Sequence, residues 1–306
     1  MASSVNQSQI DQIGSILLSQ DRPLKERFRA LFTLRSIGGP SAIEWIAKSF
    51  SDPSELLKHE CGYCLGQMGD KEATPYLIDV LTDMKQEPIV RHEAAEALAA
   101  IGALDVLDLL REYSEDPSIE VAETCQLAVS RLEWLQNKAN NEEELSENPF
   151  CSVDPAPSAS LMKDISILKA ELLDENLPLF ERYRAMFSLR NKGDEESILA
   201  LTKGLKCSSA LFRHEIAYVL GQVAHEVSVK QLSESLMDSN EHPMVRHECA
   251  EALGSIATPE CNQVLEKYLT DPHRVVKESC EVALDMCDYA QTDAFQYADT
   301  LSKVSN

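Results

Sequence analysis

This chain contains a version of itself. Residues 27–35, RFRALFTLR, return as RYRAMFSLR at 182–190, 155 positions later. The same offset carries HECGYCLGQ (59–67) onto HEIAYVLGQ (214–222), and PIVRHEAAEALAAI (88–101) onto PMVRHECAEALGSI (243–256). It also carries DPSIEVAETCQLA (116–128) onto DPHRVVKESCEVA (271–283). One offset held without a gap over such a length means a duplicated half, so the fold must be one that tolerates head-to-tail repetition.

Each half has a shorter period of its own. His59 and His92 stand 33 residues apart, as do His214 and His247. Tyr76, Leu77, Val80, Leu81 and Met84 follow a helical stripe, and so do Ile43, Ile46, Ala47 and Phe50. Gly38, Gly69 and Gly102 suit helix ends, while Pro88, Pro117, Pro243 and Pro272 suit the starts of the helices that follow. Alternating strand pattern is scarce. The expectation is all-α: four helical hairpins per half, stacked as an α-solenoid of the HEAT type, with one helix of each hairpin lining a concave face. The halves are expected at 1–136 and 161–306, joined by 137–160, whose Asn, Glu, Ser and Pro read as a flexible linker.

Against this background a His-Glu pair occurs four times: His59-Glu60, His92-Glu93, His214-Glu215 and His247-Glu248. The pairs fall in the first turn of the second helix of hairpins two and three in each half. Hairpins one and four of the first half carry Phe28-Arg29 and Val121-Ala122 there, so the pair is not demanded by the scaffold. One such pair on one helix is ordinary surface chemistry. Four of seven histidines placed so, at two matched spacings, are not. Packed helices lie about 8–10 Å apart, which lets His59 lean with His92, and His214 with His247, onto one ion each. The adjacent glutamate points about 100° away around the helix, so one glutamate per half can turn inward as a third ligand. Two imidazoles and a carboxylate with open positions suit non-haem Fe(II) and O₂ chemistry, and zinc accepts the same donors. Without a cation, four imidazoles and four carboxylates on such a face would be costly to bury. One turn further on, Tyr63, Glu96, Tyr218 and Glu251 share the histidines' face and could hydrogen-bond the ligands.

Composition narrows the partners. Lys and Arg total 28 against 51 Asp and Glu, a net charge of −23, which disfavours nucleic acid and favours a basic or polyamine-like partner. No apolar run is long enough to span a membrane, and MASSVNQSQI lacks the basic and apolar regions of a signal peptide. A cytoplasmic protein with its nine cysteines reduced is therefore expected. Cys61 and Cys64 form a C-x-x-C, but Ile216 and Val219 replace them in the second half, which marks packing positions rather than a redox dithiol.

The four pairs, the RFRALFTLR and RYRAMFSLR segments, SVDPAP in the linker and AFQYAD near the C-terminus together resemble the deoxyhypusine hydroxylases over nearly the whole chain. That resemblance implies a monooxygenase with two Fe(2+) ions per chain and O₂ as co-substrate. The substrate it implies is the deoxyhypusine side chain of translation initiation factor 5A, hydroxylated to hypusine. By the resemblance His59, His92 and Glu93 hold one iron, and His214, His247 and Glu248 the other. Glu60 and Glu215 are grouped with the ligands, and are equally placed to face the cationic substrate. Two rival readings share the residues: another metalloenzyme on the same ligand set, such as a zinc or manganese hydrolase, and a non-enzymatic HEAT-repeat adaptor for a basic partner.

Overall fold

The computed structural model describes residues 5–137, 143–292 and 297–304. They form hairpin after hairpin. In the first half these are α1 (Gln7–Leu18) with α2 (Leu24–Ile37), and α3 (Pro40–Lys48) with α4 (Glu55–Met68). Then follow α5 (Thr74–Thr82) with α6 (Pro88–Ile101), and α7 (Leu107–Tyr113) with α8 (Ile119–Asn137). The second half repeats the order with α9 (Ile165–Leu173), α10 (Leu179–Lys192), α11 (Glu195–Gly204) and α12 (Ala210–Val223). It continues with α13 (Val229–Met237), α14 (Pro243–Ile256), α15 (Pro259–Lys267) and α16 (Arg274–Ala290), and a short α17 (Thr300–Val304) follows. Among the described residues the sole β-feature is an isolated bridge between Leu145 and Ser160. The all-α solenoid of four hairpins per half is what is found.

Local chemistry accounts for where these helices start and stop. Ser54 and Ser209, duplicates of one another, cap α4 and α12 by accepting from the Leu57 and Phe212 amides at 3.0 Å. Pro88 and Pro243 open α6 and α14, where a missing amide costs nothing. A left-handed residue closes all four: Gly69, Gly102, Ala224 and Ala257. The turn inside the hairpins is held by a buried arginine. Arg27, Arg91, Arg182 and Arg246 each donate Nε to a carbonyl of the preceding helix, at Leu17, Leu81, Leu172 and Leu236, over 2.8–3.0 Å. A guanidinium so placed satisfies an orphan carbonyl at a helix C-terminus and favours the dipole there.

Packing divides the chain into two compact units, Met1–Val106 with Thr292–Asn306, and Leu107–Gln291. Repetition and packing thus draw different boundaries. The α7–α8 hairpin belongs to the first half by sequence, yet Glu120 and Glu123 on α8 meet His242 (3.4 Å) and Ser209 (2.6 Å) of the second half. The described part of the linker, 143–160, also lies against this second unit. Ala156 and Ala159 are fully buried, and Asp154 forms an ion pair with Arg190 at 2.6 Å.

Within each unit the second helices pack through small residues. A Cβ at Gly66 would stand 2.8 Å from the Ala97 Cα, and one at its duplicate Gly221 would stand 3.0 Å from the Ala252 Cα. A larger side chain at either place would push α4 from α6, or α12 from α14. Those are the helices that carry the histidines.

Candidate metal centre

Each histidine is the fifth residue of a 14-residue helix: His59 of α4, His92 of α6, His214 of α12 and His247 of α14. They therefore open the second turn, slightly later than the sequence suggested. In the first unit the His59 and His92 rings are 5.4 Å apart, and each offers a nitrogen within 4.8 Å of the other. Glu93 reaches across from α6 to place its Oε2 3.2 Å from His59 Nε2. In the second unit the rings of His214 and His247 are 5.2 Å apart, and Glu248 Oε2 is 3.4 Å from His214 Nε2. His214, His247 and Glu248 each supply a donor atom within 4.8 Å of the others. All these side chains are buried, His92 and His247 completely.

Glycine makes one of these contacts possible. Gly62 faces Glu93 so closely that a Cβ would lie 2.9 Å from the Glu93 Cγ. The cations that precede the His-Glu pairs hold the helices in register. Lys58 pairs with Glu87 and donates to Gln86 at 2.8 Å, and its duplicate Arg213 grips Glu241 with two hydrogen bonds of 2.6 and 2.9 Å. Arg246 pairs with Asp271 through Nη2 at 2.6 Å. Such charge-assisted, bidentate contacts set the geometry of a helix pair more strictly than apolar packing does. Sequence reasoning passed over these cations, although a Lys or Arg stands before every His-Glu pair.

Glu60 and Glu215 are buried too, at 7% and 3% exposure, but are not members of these clusters. Of the four residues one turn beyond the histidines, Glu251 is brought onto one of them, its Oε1 3.5 Å from His247 Nδ1. Ser279 on α16 donates to the same Oε1 at 3.1 Å, a link no sequence pattern announced. The Tyr218 hydroxyl accepts from Gln222 at 3.0 Å, the Tyr63 ring faces the Arg35 guanidinium at 5.5 Å, and Glu96 is half-buried. Cys61 and Cys64 are fully buried, and burial pushes both thiols well above the usual range, which suits packing and not redox exchange.

The donors fit a metal ion. In the second unit two imidazole nitrogens and a carboxylate converge among buried side chains, and in the first two imidazoles converge with Glu93 beside His59. That set is suited to a first-row divalent ion and leaves coordination positions open.

Models of HEAT repeats match residues 10–87, 50–130 and 198–285, and a PBS lyase HEAT-like repeat matches 181–207. Fold and site together define a HEAT-repeat protein whose buried histidines and carboxylates are placed for metal binding. Deoxyhypusine hydroxylase of Danio rerio is 60% identical over 302 residues, 98% of this chain and 99% of its own. That of Homo sapiens is 59% identical over 300 residues, 98% of each. The solved structure of human deoxyhypusine hydroxylase in complex with glycerol matches with a TM-score of 0.88 at 60% identity, over 92% of this chain and 96% of that one. The chain belongs to the deoxyhypusine hydroxylase family. It is accordingly an enzyme, a monooxygenase.

Proposed function

We propose that the chain hydroxylates the deoxyhypusine side chain of translation initiation factor 5A, using O₂ and two Fe(2+) ions. The observation that carries this reading is the duplicated cluster of two buried histidines and a glutamate in a chain similar to the hydroxylases from end to end. His59, His92 and Glu93 would hold one ion, and His214, His247 and Glu248 the other. Bound there, the iron would supply the redox chemistry that activates O₂, which no ordinary side chain performs. The protein's own part is to position and to select. Glu93 stands beside His59 and Glu248 beside His214, so each carboxylate would share an ion with the ring it faces, while Glu251, backed by Ser279, stands against the other side of His247. Glu60 and Glu215, buried carboxylates beside the ligands in sequence, would receive the ammonium groups of the substrate through charge-assisted hydrogen bonds. A cytoplasmic location accords with nine cysteines, none of them in a disulfide, and with the absence of any membrane-spanning helix among the described residues.

Anaerobic reconstitution with Fe(II), followed by metal analysis and turnover under O₂, tests the proposal. Two irons per chain are expected. His59→Ala and His214→Ala should each retain about half the iron and lose turnover by at least 10²-fold. Glu60→Ala and Glu215→Ala should keep the metal and raise KM. Equal iron loss in these variants and in Glu93→Ala would make them ligands instead. Turnover that persists without O₂ on zinc would place the chain among hydrolases.

A further inference from the structure

The duplication exposes a single chemical exchange at an otherwise repeated buried ion pair. Arg27 donates Nε to the Leu17 carbonyl and pairs with Asp52, whose amide donates to the Ser49 carbonyl at 3.0 Å. In the second half Arg182 donates Nε to Leu172 at 3.0 Å, and the amide of residue 207 donates to the Gly204 carbonyl at 3.1 Å. All these positions are duplicates, and the backbone turn is the same. The residue that corresponds to Asp52 is Cys207. The carboxylate is kept where the motif appears again, as Arg246 with Asp271.

Arg182 thus keeps its bracket and loses its counter-ion. It is 4% exposed, its guanidinium stacks over the Phe212 ring at 4.2 Å, and its Nη2 is buried with no hydrogen-bond partner. Cys207 occupies the place of Asp52 beside this guanidinium, whose charge favours its thiolate, and Arg213 donates to the Cys207 carbonyl at 2.7 Å. Asp174, Glu175 and Glu123 act on Arg182 only through space and none pairs with it, so this buried cation lacks the direct counter-ion its duplicate has, and Cys207 is the ionisable group at that counter-ion's place.

We propose that Cys207 is a site of oxidation by hydrogen peroxide to the sulfinate, which replaces the missing aspartate as the counter-ion of Arg182. Two peroxide molecules are consumed. The first transfers oxygen to sulfur to give the sulfenic acid and water. The second gives the sulfinic acid and a second water, and its proton leaves to solvent. Sulfur loses four electrons and each peroxide takes two. The product has two oxygens on one centre and a single negative charge, the form of a carboxylate that a guanidinium fork accepts. Burial keeps the Cys207 thiol above its ordinary pKa, with Arg182 opposing, so attack on peroxide is slow and the paired product is what favours the change. Cys207 is 7% exposed and lies in a turn between the exposed Lys206 and Ser208, the side from which a small oxidant would approach.

The test uses the full chain with Cys151→Ser, because Cys151 is exposed and would react first. After hydrogen peroxide treatment, peptide mass spectrometry should find two added oxygens on Cys207, with the melting temperature raised by about 2–4 °C. Cys207→Asp should show the same rise without peroxide and no further response. Cys207→Ser should show neither. The proposal is overturned if Cys207 remains a thiol under treatment. It is overturned equally if the sulfinate form, or Cys207→Asp, melts no higher than the reduced protein.

Discussion

Ala224 and Ala257 end α12 and α14 with φ of 50° and 56°, in the left-handed region that a Cβ disfavours. Their duplicates, Gly69 and Gly102, do the same work at 65° and 74° without that cost. The halves have therefore diverged at a position where backbone geometry stayed constant. Ala224→Gly and Ala257→Gly should each stabilise the protein by about 1 kcal/mol, read as a higher melting temperature with metal binding unchanged. A fall in melting temperature would mean that the alanine methyls pack well enough to outweigh the strain. At this scale the sequence singled out the histidines that the structure brings together in pairs, because four matched histidines stand out from three unmatched ones. Ser279 was not legible, since a lone serine on another helix gains its meaning only from the approach of Glu251.

The repeated segments 27–35 and 182–190 gain a purpose at the level of elements. Arg29 pairs with Asp299 at 3.1 Å and stacks over Tyr297 at 4.6 Å, while the Thr300 amide donates to the Thr33 hydroxyl at 3.2 Å. At the duplicate positions Arg184 pairs with Glu143 and donates to the Ser158 carbonyl at 3.3 Å, and the Ala159 amide donates to the Ser188 hydroxyl at 2.8 Å. An arginine and a hydroxyl one turn apart thus hold an extended segment in both halves. Removing the arginine removes charged hydrogen bonds worth about 1.5–3 kcal/mol. Arg184→Ala should speed amide exchange across 143–160 by roughly tenfold or more, and Arg29→Ala should do so across 297–304. Hydrogen-exchange mass spectrometry reads both, and unchanged protection would show that apolar burial alone anchors these segments. Asn, Ser and Pro made 137–160 read as linker, whereas the burial of Ala156 and Ala159 depends on contacts far away in sequence.

For the molecule as a whole, the solenoid was legible because its determinants are local: helical stripes, proline starts, glycine ends and one constant offset. The unit boundary at 106 and 107 was not, because α8 is drawn to the second half by Glu120 and Glu123, residues with no periodic signature. Net charge is also a whole-molecule property, and it bears on the proposed substrate. With 51 acidic against 28 basic residues, the surface field favours the approach of a cationic side chain. Salt shortens the reach of that field to about 8 Å at physiological ionic strength and to about 3 Å at 1 M. Steering acts on encounter and not on the bound state, so kcat/KM toward a basic protein substrate should fall by roughly tenfold between about 0.05 and 0.5 M salt, with kcat unchanged. Charge contacts made only after docking would leave the encounter rate flat and raise the dissociation rate instead. Stopped-flow association with the metal-loaded enzyme under anaerobic conditions separates the two, because binding then proceeds without turnover. A flat association rate would assign recognition to Glu60, Glu215 and their neighbours alone, and the −23 charge to solubility.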